Sequence, residues 1–198
     1  GSTFTQQNIA DGDILYEHDG SETTADDFDF IVDDGAGGST SNATFSITIN
    51  ALNDDPIFTN LDGNPTFVED AAAVVLDANV TISDAELDVA DDYTGSSLVI
   101  ARNGGAEATD DFDFSAANNL ALNGTDLELS SSVIGTFIES GGTLTLSFTG
   151  SGTPPDAATI DLVLQQITYQ NTSNNPPSSV TLDWTFNDGT DPSTGTNQ

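Results

Sequence analysis

Carboxylates and side-chain amides supply nearly all the chemistry in this sequence, and they are unevenly spaced. Asn53-Asp54-Asp55 stands before Pro56, Glu69-Asp70 begins thirteen residues beyond that proline, and Asp84-Ala85-Glu86-Leu87-Asp88 and Asp91-Asp92 come next. Hard oxygen donors at alternate positions in turn-rich segments suit Ca²⁺, which takes roughly six to eight oxygens at about 2.3–2.6 Å. On an extended loop, Asp84, Glu86 and Asp88 would present their carboxylates on one side. No single cluster suffices, and the segment around Asn53–Asp55 is expected to bring several within reach. The pairs Asp26-Asp27 and Asp33-Asp34, and the run Asp110-Asp111-Phe112-Asp113, read equally well as ligands or as solvated surface.

The chain has 198 residues, with 33 Asp+Glu against one Lys or Arg and a formal charge of −32. Its single cation, Arg102, cannot build a basic groove, which excludes nucleic acid and anionic membrane surfaces as partners. Asp outnumbers Glu by 26 to 7, and the acids sit beside Gly, Asn and Ser. A salt-adapted surface would recruit Glu as well, so short carboxylates in turns favour metal ligation over a merely solvated face. Cysteine is absent, which removes disulfides, thiolate zinc sites and cysteine nucleophiles together.

His18 is the only histidine, so His18-Asp19 lacks the companions that hydrolytic metal sites and Ser-His-Asp catalysis require; it reads as a turn residue. Paired carboxylates could hydrolyse glycosides, but 33 acids make chance pairs inevitable. The expectation is a non-enzyme. No apolar run approaches the roughly 20 residues of a membrane helix, and any export signal is expected outside this chain.

Period-two alternation marks the positioning elements as strands: Ala43 to Ile49, Phe28 to Val32, Leu144 to Phe148, Ser97 to Ile100 and Val180 to Phe186. Asp34-Gly35, Asn103-Gly104, Asn123-Gly124, Gly141-Gly142 and Asp188-Gly189 are turn signals between them. Many short strands with regular turns predict a β-sandwich. Only Asp156 to Gln166 has spacing suited to a short helix.

An internal repeat organises these elements. Ile14 to His18 followed by Phe28-Asp29-Phe30-Ile31-Val32-Asp33-Asp34-Gly35 matches Ile167 to Asn171 followed by Leu182-Asp183-Trp184-Thr185-Phe186-Asn187-Asp188-Gly189. Tyr16 is thus equivalent to Tyr169. The equivalence also assigns Trp184 and Tyr169 to a core rather than to a sugar-stacking platform. The repeat implies that residues 1–55 are the C-terminal part of one sandwich and residues 56–198 a second sandwich lacking its last strand. Either the chain is a window on a longer tandem array, or incomplete units complete each other by strand addition.

Tyr16-Glu17-His18-Asp19-Gly20-Ser21-Glu22, Asp26 to Gly35 and Asn53-Asp54-Asp55-Pro56 resemble the end of a chondroitin-sulfate-proteoglycan-type repeat. Phe67-Val68-Glu69-Asp70, Ile82 to Asp88, Ile167-Thr168-Tyr169 and Phe186-Asn187-Asp188-Gly189 resemble a bacterial cadherin-like repeat. Such repeats occur in tandem in large secreted RTX-type adhesins and surface proteins, although the glycine-rich calcium nonapeptide is absent here. The resemblance implies an all-β fold of tandem immunoglobulin/cadherin-like β-sandwich modules of Greek-key type, with Ca²⁺ at each junction. It implies metal ligation by Asn53, Asp54, Asp55, Glu69, Asp84, Glu86, Asp88 and Asp26; Asp70, beside Glu69, joins the candidates. Glu86 departs from the family's usual Asp.

The expected function is an extracellular calcium-binding structural repeat that extends and stiffens a bacterial adhesin or surface filament, secreted or at the cell surface. Its expected partners are neighbouring repeats of the same polypeptide. The alternatives are a self-assembling fibre subunit, a homo-polymer completed by strand donation, and a sandwich that binds an extracellular glycan or cell-surface protein.

Overall fold

The computed structural model of the protein describes residues 2–151 and 153–197. The chain forms two compact units, Gly1–Ala51 and Leu52–Gln198, dividing four residues before the boundary expected from the Asn-Asp-Asp-Pro motif. The first unit has helix α1 (Gln6–Asp11) and an antiparallel hairpin of β1 (Ala25–Phe30) and β2 (Ala43–Thr48). Thr5 caps α1 in a capping box with Asn8. The hairpin follows the alternation: Phe28 lies opposite Phe45 on one face, while Asp29 on the other accepts hydrogen bonds from Thr44 and Asn42 at 2.6 and 2.8 Å.

The second unit contains, in chain order, β3 (Ile57–Thr59), β4 (Val74–Val75), β5 (Thr81–Ser83), α2 (Ala85–Ala90), β6 (Ser97–Arg102), β7 (Asp110–Phe114), β8 (Leu120–Asn123), β9 (Asp126–Leu129), β10 (Ser132–Glu139), β11 (Thr143–Phe148), α3 (Ala157–Leu164), β12 (Ile167–Asn171), β13 (Leu182–Asn187) and β14 (Pro192–Asn197). A seven-stranded antiparallel sheet runs β14-β13-β6-β11-β10-β9-β8, beside a three-stranded sheet β4-β12-β7 and the pair β3-β5. The all-β expectation holds: sheets dominate, and the strands pair antiparallel throughout.

The core of this unit follows the pleat. Leu182, Trp184 and Phe186 of β13 are buried while Asp183 and Thr185 between them are not. They join Leu98 and Ile100 of β6, Leu144, Leu146 and Phe148 of β11, Ile167 and Tyr169 of β12, and Ile160, Val163 and Leu164 of α3 in one cluster. Each such side chain contributes about 1.5–3 kcal/mol by leaving water. Among the described residues no helix is long and apolar enough to cross a membrane.

Two sequence expectations need correcting. Pro192–Asn197, read as a loop short of a final strand, pairs with β13 as β14, so the edge left open by that reading is filled. Proline fits there because β14 is an edge strand and Pro192 its first residue. Residues 84–88, read as an extended loop, instead open helix α2. The local cause is a helix start that alternation obscured: Asp84 as N-cap, then helix-forming Ala, Glu and Leu. The helix expected within Asp156 to Gln166 is α3, capped by Asp156.

Candidate metal centre

Helix α2 sets the position of the two carboxylates at the heart of the site. Asp84 Oδ1 accepts the backbone N–H groups of Glu86 and Leu87 at 3.1 and 2.8 Å, which fixes its side chain over the first turn. Glu86, two residues on, accepts the backbone N–H of Asp54 at 3.1 Å through Oε1. Carboxylate oxygens of Asp54 and Glu86 lie within 4.8 Å of each other. The entry segment of this unit is therefore held against α2.

A fourth carboxylate arrives from the far end of the sequence. In the turn after β13, Asp188 Oδ1 accepts the N–H groups of Thr190 and Asp191 at 2.5 and 2.7 Å. Its other oxygen, Oδ2, accepts the Asn53 side-chain amide at 2.7 Å. Burial pushes the Asp188 carboxyl up, but bonds from Asn53, Thr190 and Asp191 outweigh it and hold it below its ordinary value.

Asp84 responds in the opposite sense. It is only 3% exposed, and its carboxyl is raised above the ordinary range, chiefly by burial. The N–H of Leu87 opposes that shift, while the charges of Asp188 and Glu86 reinforce it. Asp84 Oδ2 and Glu86 Oε2 are both buried and make no hydrogen bond. Buried anionic oxygens in this state are costly. Arg102, the chain's one Lys or Arg, does not relieve them, because it is engaged by Asp110. An all-oxygen donor set of this kind fits a hard divalent cation of the calcium type and lacks the nitrogen and sulfur ligands that favour zinc.

The remaining sequence candidates have other partners or are exposed. Asp26 lies on β1 of the first unit, where it accepts the Tyr16 hydroxyl at 3.0 Å and the backbone N–H of Asp27 at 2.7 Å. Glu69 and Asp70 occupy an exposed turn before β4, and among the described residues no hydrogen bond joins them to the α2 group. Asp55 is exposed. Asp88 serves the packing of its own helix, accepting the Tyr93 hydroxyl at 2.7 Å and the Asp84 N–H at 3.3 Å. By sequence Asp188 reads only as a turn residue, and the sole signal for more is its place in the Asn-Asp-Gly turn.

The remaining motifs resolve into structure. His18 bonds Thr23 and Gly20 inside an exposed turn, as expected of it. Trp184 is fully buried and Tyr169 is 5% exposed, so neither offers a ring to a sugar. Asp110 is neither ligand nor surface. Buried at the start of β7, it receives both Nε and Nη2 of Arg102, the Tyr169 hydroxyl and the Asn171 amide.

The Cadherin-like family model matches residues 1–49 of this chain. No curated protein and no solved structure matches it. Residues 1–49 are therefore similar to a cadherin-like repeat, and they agree with the all-β architecture of the whole chain.

Proposed function

We propose that this chain is an extracellular structural repeat of the cadherin-like kind, whose second unit binds Ca²⁺ through Asn53, Asp54, Asp84, Glu86 and Asp188. The observation that carries the reading is the pair of buried, unpartnered oxygens, Asp84 Oδ2 and Glu86 Oε2, facing no counter-charge in an almost cation-free chain. The similarity of residues 1–49 to a cadherin-like repeat supports the extracellular, structural context. The role is mechanical rather than catalytic, and the natural partners are neighbouring repeats of the same polypeptide in an adhesin or surface filament.

Calcium supplies the positive charge this group lacks. The chain does the rest. The Asp84 carboxylate is held by the α2 backbone and that of Asp188 by its own turn and Asn53, while the Asp54 backbone N–H ties the entry segment to Glu86, so these groups are positioned before a cation arrives. Ligation would pin the entry segment Asn53–Asp54 to both α2 and the β13–β14 turn. Thermal melting tests this: millimolar CaCl₂ should raise Tm well beyond NaCl of equal ionic strength. A cation at 100 times its Kd stabilises by about 2.7 kcal/mol. An equal response to both salts would mean that the acids form only a solvated surface.

A further inference from the structure

Strand β14 is held by backbone pairing and one turn, with little burial of its own. Its sequence, Pro192-Ser193-Thr194-Gly195-Thr196-Asn197, has no apolar side chain larger than proline, and none of residues 192–196 is buried. It lies at the edge of the seven-stranded sheet, paired along β13 from Leu182–Asn197 to Asn187–Pro192. β13, by contrast, buries Leu182, Trp184 and Phe186 and has β6 along its other edge. The apolar burial that holds β13 in place is therefore nearly absent from β14.

Its one close fit is at Gly195, which lies opposite Trp184. A Cβ at Gly195 would come within 2.5 Å of Leu61 Cδ2 and 3.3 Å of Phe58 Cδ2. Phe58 in turn meets Trp184 and Phe186 edge-on, each at 6.3 Å between ring centroids. Leu61 and Phe58 thus pack directly on the β14 backbone, beside the only Trp of the chain.

The turn that brings β14 back belongs to the candidate metal centre. Asp188 Oδ1 accepts the N–H groups of Thr190 and Asp191, and Asn187 Oδ1 that of Gly189 at 2.8 Å. From Asp188 Oδ2 a run of bonds leads to α2. That oxygen accepts the Asn53 amide, the amide also reaches the Asp54 carbonyl at 3.1 Å, and the Asp54 N–H reaches Glu86. Asp84 Oδ2 and Glu86 Oε2 are the buried oxygens without a partner at the α2 end. Like charges collected in this way gain by moving apart. Asp84 and Glu86 are fixed by α2, whose Leu87 packs against the core, whereas Asp188 leads into the strand with least apolar surface to lose.

We propose, on the basis of the calcium site assigned above, that β14 is a strap governed by that site. With a divalent cation held by Asp188 and the α2 carboxylates, the turn is closed and β14 lies on β13. Without it, β14 leaves β13 while the rest of the sheet stays folded. Release uncovers the outer edge of β13 and takes the β14 backbone away from Leu61, Phe58 and Trp184.

The test uses the 198-residue protein, with residue-resolved amide exchange by NMR and isothermal calcium titration on the same sample. In EDTA the β14 amides should exchange roughly tenfold or more faster than those of β6 and β11, with red-shifted Trp184 emission. At calcium about 100 times its Kd that gap should shrink by roughly tenfold or more, and NaCl of equal ionic strength should leave it open. The double variant Thr194→Pro, Gly195→Pro removes a bond to β13, because neighbouring strand residues face opposite edges, and it lies outside the cation site. It should weaken calcium binding by roughly tenfold, since a cation that closes the strap binds less well where the strap cannot close. Protected β6 and β11 amides would show that this variant is folded. Calcium binding with the exchange gap unmoved, or with full affinity in the proline variant, would overturn the strap and leave the site standing. Absence of calcium binding would overturn both.

Discussion

Asn53 and Asp188 are 135 residues apart in sequence and joined by a 2.7 Å hydrogen bond from side-chain amide to carboxylate. The bond ties the entry segment of the second unit to the turn between its last two strands. It also aligns Asp188 so that its charge acts on Asp84. The candidate site thus depends on both ends of the unit being folded.

Removing Asp188 should therefore matter more than removing the acids that sequence spacing singles out. Asp188→Asn is expected to abolish most of the calcium-dependent rise in Tm, as is Asp84→Asn, while Glu69→Gln and Asp26→Asn retain it. Isothermal titration of all four variants with CaCl₂ makes the comparison directly. A normal titration for Asp188→Asn would remove that residue from the site.

Asp77 offers a purely structural contrast. Only 2% exposed, its two oxygens accept four backbone N–H groups, from Asp62, Gly63, Asn79 and Val80, at 2.7–3.0 Å. Gly63 is required there, because a Cβ would collide with the Leu76 carbonyl oxygen. Asp77→Ala should cost about 3 kcal/mol or more in urea unfolding, since several buried donors lose their acceptor. Calcium binding by the folded fraction should persist.

The buried pair of Arg102 and Asp110 yields an asymmetric prediction. Asp110 is fully buried at its side chain, so Arg102→Met strands a carboxylate and should cost about 3–5 kcal/mol. The double variant Arg102→Met, Asp110→Leu should recover part of the loss. Tyr169, whose hydroxyl is pushed up to about 12 by burial and by its bond to Asp110, remains protonated throughout the experiment. A double-mutant cycle by chemical denaturation measures the coupling.

Asp156 gives a pH test away from the metal site. Its carboxyl is held below its ordinary value of 3.8, first by Thr159, whose backbone N–H it accepts at 2.8 Å as the N-cap of α3. A lowered folded value means that the unfolded chain binds the proton more readily. The stabilisation is therefore complete above the ordinary value and fades as pH falls through the lowered one. Asp156→Ala should cost about 1 kcal/mol at pH 7. The gap should narrow below pH 3.8, and Asp156→Asn should keep most of the cap at both pH values. Unfolding curves at pH 7 and pH 3 decide it.

Much of the fold is legible in the sequence because strand formation leaves a local mark. Leu182, Trp184 and Phe186 alternate with polar residues, and that alternation alone sends them inward. The same logic locates Ser97 to Ile100 and Leu144 to Phe148. It misleads at Asp84–Asp88, where alternating acids look like one side of a strand and are in fact an N-cap followed by helix. Motif singles out Asp26, Glu69 and Asp70 and passes over Asp188, because nothing local records which turns converge.

By itself, then, the sequence determined an acidic, cysteine-free, strand-built protein with carboxylates in its turns and too few cations to build a basic groove. Composition and two-residue periodicity act over a few residues and survive without a fold. Only the tertiary structure decided that Asp188 bonds Asn53 and that Glu86 takes the backbone N–H of Asp54. It alone decided that Asp110 pairs with the one arginine, and that Phe28 and Phe45 are exposed. Those outcomes depend on sheet order and on which residues lose water, and both are set by pairings between strands far apart in the chain.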